Sequence, residues 1–555
     1  MPRGARDPRP FLEQLARQHQ REQAVAETRR AAVAAYRESY KLGRLDQRTR
    51  RYVEPSHRSG TAAVMESFDR MHARTRDGQL NNPLMKRAIS VLRDIIVGTG
   101  IGTFADPIDY SFGWDLQRRA DADLLAALDY ALEADERWED FAHEPKLFDV
   151  AGRLDWPEMQ RLALTENVQV GEAILIEVQK RRAGIPLCYQ MIEQEQLDRS
   201  KDRTGGRGQT AIINGIEFDA ETGWELGAWI YDAHPYDDRA NGMSMFSSSF
   251  VPSWRYHRLF AQRRPSQWIG ATWLHAMGQP TLDRDRYMEA ELRAAIKAAL
   301  ITLVHKLEGA GSTPLGMTGD DEDYDEDPLG RPSIALGTDP VAAEIRPGEE
   351  VEMLNPTRPN SDAGAFFDLI DHDLAGAVDL SYYSLTGRFD RTNYGGFRGA
   401  INLENAQTIP IQNWIARQVV LPVRRRFNSL AIGLGLIDAI TPSKFRAEMR
   451  RYQRFDCLAP GRHLLEPGSE TDADTTELRG GLTTLKIECA RRNLHWLKVL
   501  RQIALENRVC KLLGVVLDHS KGQGGQRDST SRSADSGSTG TDDGSNNAGI
   551  FPLSI

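Results

Sequence analysis

Basic and aromatic side chains concentrate in a short segment near the middle of the chain. The segment contains His257, Arg258, Arg263, Arg264 and Trp268. Proteins that bind single-stranded nucleic acid combine such residues, because aromatic rings stack on bases while cations meet phosphates. The other interpretation is a junction between a strand and a helix whose cations are paired or lie in water. We favour this second interpretation.

Two cysteines are followed by a histidine at the same spacing, in the pairs Cys457–His463 and Cys489–His495. Zinc sites usually place their paired ligands closer together. We therefore predict buried free cysteines and no metal site. The four cysteines of the chain include no CxxC pair, which indicates no disulfide framework and suits a reducing cytoplasm.

An acidic run interrupts a Gly- and Pro-rich stretch over residues 309–350. A calcium loop needs the order DxDxDG…E with its glycine, which this run lacks. A solvated loop is the simpler interpretation. The acidic residues of the run are Asp320, Asp321, Glu322, Asp323, Asp325, Glu326 and Asp327.

The motifs that carry common enzyme chemistry do not occur. The sequence contains no GxxxxGK[ST] for ATP, no HExxH for zinc and no GxSxG nucleophile elbow. The glycines of residues 98–102 do not match GxGxxG and follow a helical pattern, so they predict the end of a helix. We predict that the protein is not an enzyme and uses no cofactor or metal.

The totals describe a long folded chain that is poorly suited to gripping DNA. It has 555 residues, 40% hydrophobic residues and a net charge of −9. A tight DNA clamp is usually basic, because its cations replace the counterions of the phosphates. A neutral or acidic wall would instead let DNA slide. We expect no transmembrane helix and no secretory signal, since no apolar run is long enough.

The elements that must position these residues are mostly helices. Residues 57–97 predict helices with a turn at Asn81-Asn82-Pro83. Residues 155–235 predict a mixed α+β unit with strands over 173–178, 210–218 and 224–231. Further helices are predicted over residues 24–40, 283–307, 363–380, 397–434 (interrupted at Pro410 and Pro422) and 484–513. The first long one would extend about 40 Å, and residues 519–549 should be disordered.

Six short motifs follow one another along the chain. They begin at Asn81-Asn82-Pro83, Gly171-Glu172-Ala173, Asn214-Gly215-Ile216, His257-Arg258-Leu259, Leu385-Thr386-Gly387 (with Asn393-Tyr394) and Pro460-Gly461-Arg462. In this order they resemble the portal proteins of lambda-type tailed bacteriophages. The fifth motif is the most specific, although Arg388 stands where the family usually has Asp and two glycines replace paired serines.

The resemblance implies a mainly helical α+β fold with the portal architecture. The implied regions are a basic N-terminal arm over 1–56, a wing over 57–282, a first stem helix over 283–309, a clip with the acidic loop over 310–360, a second stem helix over 361–384, a tunnel loop over 385–396, a long wing helix region over 397–455, crown helices over 456–518 and a disordered tail over 519–555.

The resemblance also implies a function. Copies of the chain would form a ring, a dodecamer in the family, at one capsid vertex of the virion after assembly in the host cytoplasm. Double-stranded DNA would pass through it without sequence readout, and the terminase large subunit and a head-tail adaptor would dock on the acidic clip residues. Capsid and scaffold proteins are further partners; no membrane is. The implied channel residues are Gly387, Arg388, Arg391, Asn393 and Tyr394.

Two other functions stay open at this point. One is a DNA-processing enzyme, such as a nuclease or terminase component, which would need an ATP or metal–carboxylate site. The other is a non-viral helical scaffold protein.

Overall fold

The computed structural model describes residues 58–107, 121–180, 184–206, 208–236, 247–300, 304–307, 349–352, 363–390, 392–461 and 466–515. The predicted helix over 24–40, the acidic run and the C-terminal tail lie outside these residues. The chain divides into two units, Met1–Leu465 and Glu466–Ile555. Among the described residues, no helix has both the length and the apolarity that crossing a bilayer requires.

The first helices confirm the predicted turn at Asn82. Its side-chain oxygen accepts hydrogen bonds from the N–H groups of Leu84 and Met85 at 3.1 and 3.0 Å, which caps the helix that Pro83 begins. That helix buries one stripe of apolar side chains and ends at Ile96, just before the glycines of residues 98–102 that predicted its end. The helices are α1 (Gly60–Met65), α2 (Phe68–Asn81) and α3 (Pro83–Ile96).

The main core lies between α3 and helices from both halves of the chain. An aromatic group at its centre includes Trp138, Phe141, Phe148 and Phe427, with Phe141 stacked on Phe427 at 4.8 Å. The elements that follow α3 are β1 (Gly102–Ala105), α4 (Asp121–Ala142), α5 (Pro145–Phe148) and α6 (Trp156–Val170).

Two antiparallel sheets follow. The first has the order β3-β2-β8 and the second β4-β5-β6-β7. The strands are β2 (Glu172–Val178), β3 (Cys188–Ile192), β4 (Thr210–Ile213), β5 (Ile216–Asp219), β6 (Glu225–Tyr231), β7 (Ser248–Pro252) and β8 (Tyr256–Phe260).

The prediction of a single strand over residues 210–218 is wrong, because a hairpin turn divides these residues into β4 and β5. Asn214 and Gly215 both have positive φ, 53° and 74°, as the tight turns of hairpins require. A Cβ atom on Gly215 would lie 2.9 Å from the backbone nitrogen of Asp198. The carboxylate of Asp202 accepts the N–H groups of both turn residues.

Strand β2 is buried on both faces and separates two cores. Ala173 and Leu175 face the helices, whereas Ile174 and Ile176 face the second sheet. This follows from the period-2 alternation of side chains along a strand.

A carboxylate at each end of β2 is paired with an arginine on the face to which it points. Glu172 accepts hydrogen bonds from Arg258, which also bonds Glu225 in β6. Glu177 accepts two from Arg426, at 2.7 and 2.9 Å. Buried carboxylates need such partners, since leaving one uncompensated costs several kcal/mol.

The helix predicted over 283–307 is displaced toward the N-terminus. It spans Gly278–Leu300 (α7), so Asp283 and Asp285 lie inside it, and Asp285 accepts a hydrogen bond from Asn82 at 2.9 Å. Val304–Leu307 (β9) is a strand paired antiparallel with Glu349–Glu352 (β10).

The helix predicted over 363–380 also ends earlier, at Gly376. Ala363–Gly376 forms α8, and a turn with Asp379 at φ 57° leads to Tyr382–Thr386 (α9). The region expected as one second stem helix over 361–384 is thus two helices. Asp can adopt this left-handed conformation more readily than most residues, which permits the break.

Pro410 does not interrupt the next helix, contrary to the prediction. It lies on an exposed side of Tyr394–Ile415 (α10), which continues through a π-helical turn at Ala416–Val420 into Leu421–Gly433 (α11). Pro422 lies in the first turn of α11, where a missing N–H is tolerated. This unit ends with α12 (Pro442–Ala447), α13 (Met449–Tyr452) and β11 (Phe455–Leu458), which pairs with β1.

The second unit contains three described helices. The single helix predicted over 484–513 is broken, because Asn493 adopts φ 58° and ends the first part. The helices are α14 (Pro467–Arg479), α15 (Leu485–Arg491) and α16 (Trp496–Leu513).

Replacing Glu172 by glutamine should lower the free energy of unfolding by about 3 kcal/mol, because Arg258 loses its fully buried partner. Urea unfolding followed by tryptophan fluorescence measures the change. The control is Glu289→Gln, which removes one partner of the exposed Arg293–Glu289 pair and should cost less than about 1 kcal/mol. Equal effects of the two substitutions would contradict the structural role of Glu172.

Candidate functional site

The segment that joins α9 to α10 carries the predicted channel residues. Gly387 ends α9 with φ 71° and donates its N–H to the Tyr383 carbonyl at 2.9 Å. Asn393 caps α10 by accepting the Gly396 N–H at 2.7 Å. Both ends of the loop are therefore fixed by helix caps. Arg391 lies outside the described residues.

Arg388 is attached to α8 but remains accessible. Its Nη1 lies 3.4 Å from Asp368 Oδ1, and 55% of its side chain is exposed. The Tyr382 hydroxyl donates to the same carboxylate oxygen at 3.0 Å. Burial and then this hydrogen bond raise the pKa of Tyr382, so the phenol stays a donor. Arg388 is thus a cation held by a partner that it can leave.

An aromatic cluster holds the rest of the loop near the helices that flank it. Phe389 stacks on Tyr383 with ring centroids 6.1 Å apart and meets Phe397 edge-on at 5.3 Å. Such aromatic pairs stabilise the fold beyond what the burial of their apolar area contributes. Phe389 and Tyr394 nevertheless remain about half exposed. The loop is therefore anchored by side chains while presenting aromatic surface to solvent.

Helix α9 is anchored to α3 and α10 through one serine. Arg87 donates to the Ser384 carbonyl at 3.3 Å, and the Ser384 hydroxyl donates to Glu404 at 2.7 Å. Leu385 is fully buried beside them. The loop therefore begins from a helix that the core holds in place.

Helices α7 and α8 form the base of a hairpin. The Arg284 guanidinium bonds both oxygens of Asp371, at 2.6 and 3.3 Å. Tyr287 packs against Phe366 and Phe367 at 5.0 and 5.3 Å. The two-pronged ion pair fixes orientation as well as distance. Pairing of β9 with β10 closes the hairpin beyond these contacts. The acidic run belongs to the residues that the structure does not describe.

The model of the phage portal protein family, lambda family, matches residues 46–412. The match contains the α7–α8 hairpin, the loop after α9 and most of α10. The chain belongs to the lambda family of phage portal proteins. The family model covers more than half of the chain. It therefore establishes the membership, which no single short motif could do.

Three solved structures also resemble this portal-family chain. The neck of a native GTA particle computed with C12 symmetry shows 11% identity and a TM-score of 0.41, covering 76% of this chain and 94% of that one. The neck of an empty GTA particle computed with C6 symmetry shows 12% identity and a TM-score of 0.35, covering 76% of this chain and 93% of that one. The virion of a native gene transfer agent particle shows 11% identity and a TM-score of 0.35, covering 74% of this chain and 88% of that one. A search of curated proteins finds no match.

In this portal-family chain, the basic and aromatic residues of the 257–268 segment do not form one exposed surface on which bases could stack. Arg258 is buried in its ion pairs with Glu172 and Glu225. His257 is half-buried, and desolvation of its ring lowers its pKa to about 4. Arg264 donates to the Arg58 carbonyl at 2.8 Å. The favoured interpretation is thus confirmed in that the Arg258 cation is paired, but Arg258 lies within β8 and not at a junction between a strand and a helix.

One group of potential metal ligands is an ion-pair network. Glu193, Glu195 and His234 offer atoms within 4.8 Å of one another. Arg76 lies among them, 2.9 Å from Glu195 and 3.5 Å from Glu193, and it also bonds Glu166. The guanidinium already neutralises the carboxylates that a cation would need.

The cysteines are free, as predicted, but only two are buried. Cys188 and Cys489 are buried, whereas Cys457 and Cys510 are partly exposed. Burial raises the pKa of the Cys457 thiol to about 12, so it is a poor nucleophile. His463, which follows it at the spacing noted in the sequence, lies outside the described residues.

The sequence interpretation missed Asp368 and Asp371, the carboxylates that hold Arg388 and Arg284. Both lie in the otherwise apolar stretch Phe-Phe-Asp-Leu-Ile-Asp of α8. Carboxylates at i and i+3 within an apolar helix indicate buried partners. That signal was available, although it names no partner.

Replacing Asp368 by asparagine should release Arg388 and speed tryptic cleavage after Arg388 or Arg391 about three-fold. A half-exposed ion pair contributes roughly 0.5–1 kcal/mol, which sets this size. Limited proteolysis with mass spectrometry measures the rate. The control Asp373→Asn alters an exposed carboxylate of the same helix, and an equal rise there would show that the Asp368 contact does not hold the loop.

Proposed function

We propose that this portal protein assembles into a homo-oligomeric ring, a dodecamer as in its family, at one capsid vertex. Double-stranded DNA would enter and leave through its central channel. The observation that carries the proposal is the family match over residues 46–412, which includes both the hairpin and the loop after α9.

We assign the hairpin to the wall and outer end of the channel. The α7 and α8 helices would form the stem, and residues between β9 and β10 would form the clip. The acidic residues 320–327 would lie there and recruit the terminase large subunit during packaging and a head-tail adaptor afterwards. Charged surfaces of this kind favour rapid, exchangeable association, which sequential partners at one site require. Capsid and scaffold proteins would contact the wing.

We assign the loop from Gly387 to Tyr394 to the channel. Arg388 would transfer between Asp368 and a passing phosphate, because its pairing is half exposed and weak. Phosphate contacts carry no sequence information, so the passage would be independent of sequence. The net charge of −9 keeps the total attraction small, and DNA would therefore slide.

We infer that this protein performs no chemistry of its own, since proteins of the portal family are structural. The terminase would hydrolyse ATP and supply the work of packaging.

The purified full-length protein should form rings with a central hole in negative-stain electron microscopy. Mass photometry of the same sample should give a mass many times the 62.2 kDa of one chain. A Mg²⁺-dependent DNA cleavage assay should be negative. A stable monomer under capsid-assembly conditions, or cleavage by the pure protein, would refute the proposal.

Replacing Arg388 and Arg391 together by glutamine should reduce DNA retained per particle while rings still assemble. The loss of two phosphate contacts per subunit is the cause. Quantitative DNA recovery from purified particles measures the effect, and electron microscopy checks the rings. Arg70→Gln with Arg74→Gln, exposed on α2, is the control of equal charge change. Failure of rings to form in the loop variant would make these arginines structural.

A further inference from the structure

The second unit exposes far more apolar surface than it buries. Among its described residues, 466–515, twelve large hydrophobic side chains are exposed, and Cys489 is the only apolar side chain that is buried. Helices α14 and α16 bury no residue at all. The described helices of this unit bury too little apolar surface to be stable by themselves. We expect another surface to cover them.

Helix α16 presents an apolar stripe edged by cations. Leu505, Val509 and Leu512 are spaced by four and three residues, which places them on one helical face, and all three are exposed. Arg501 and Arg508 fall on the same side by the same spacing rule and are exposed too. The helix carries four cations and one carboxylate. Its net charge is therefore +3.

Helix α14 has the opposite charge. It carries four carboxylates and one arginine, a net charge of −3. Two of these carboxylates already face arginines: Arg492, which follows α15, donates to Asp474 at 2.8 Å, and Arg491 lies 3.7 Å from Glu477. Asp472 is exposed. Exposed apolar side chains accompany this acidic surface at Leu478, Leu482 and Ile487.

We propose that α16 of one copy packs on the α14–α15 surface of the next copy. The proposal rests on the ring put forward above and specifies which surfaces join its members. Opposite charges would align the two helices while the apolar side chains are buried between them. Two α16 helices, each at +3, would repel one another. The contact would therefore be head-to-tail, and a head-to-tail contact that closes generates a ring.

Charge reversal in the full-length protein tests the pairing. Arg501→Glu with Arg508→Glu, or separately Glu470→Lys with Asp472→Lys, should raise the concentration for half-maximal ring formation about tenfold. Mixing the two variants should restore assembly, since each reversed helix then meets its complement. Mass photometry reports the assembly, and circular dichroism reports the helices. If neither reversal alters assembly, or if the mixture does not recover, the proposed pairing is wrong.

A neutral substitution tests the apolar part of the contact. Leu512→Gln should weaken assembly at least as much as a charge reversal, whereas Leu80→Gln should not. The two leucines are 79% and 80% exposed, so neither change removes a core contact. Equal effects of the two substitutions would overturn the assignment of the surface.

The outcomes also separate this contact from the ring itself. If the unmodified protein forms no rings, the proposed function fails and the contact fails with it. If all variants form rings normally but the α16 reversal abolishes DNA binding, only the contact is overturned, and the basic face would serve DNA.

Discussion

The first unit depends on the charges at the two ends of strand β2. Glu172 and Glu177 are five positions apart, so the alternation of a strand sends them to opposite faces. Each meets an arginine from a different part of the chain, Arg258 in β8 and Arg426 in α11. A slip of one residue would reverse both carboxylates and leave each buried without its partner. The two pairs therefore fix the register of the strand on which both cores are built.

Pairs of an arginine with a carboxylate also join other elements of this unit, including the hairpin helices and the loop after α9. Arg424 is fully buried and bonds Asp135, which also accepts the Ala105 N–H of β1. Arg284 holds Asp371 between the hairpin helices, and Asp368 holds Arg388. Buried ion pairs are weak evidence for stability but restrict how elements can pack. Together with the aromatic packing of Tyr287 on Phe366 and Phe367 and of Phe389 on Tyr383, these ion pairs orient the hairpin and the loop.

The arginines of these ion pairs differ in their exposure to solvent. Arg424 and Arg258 are enclosed, so their bonds are permanent in the folded chain. Arg388 is half exposed, and water competes for its charge. A cation held this loosely can exchange partners without disturbing α8 or α9. The second unit differs from both cases, because its charges lie on helices that have almost no core beneath them.

Local patterns in the sequence were enough to predict the helices around Asn82, strand β2 and the mainly helical α+β class. They succeeded because caps and periodicity act within a few residues. Six motifs in order indicated the family, which the match over residues 46–412 confirms. The region boundaries, the channel residues and the acidic clip remain predictions.

Other features were decided only by contacts between distant residues. The sequence could not show that Val304–Leu307 would pair with Glu349–Glu352, since strand pairing depends on a partner far along the chain. Nor could it show that Arg258 belongs to a buried network or that Asp368 holds Arg388. A residue type sets which bonds a side chain can make, but the tertiary structure alone brings the partner within reach.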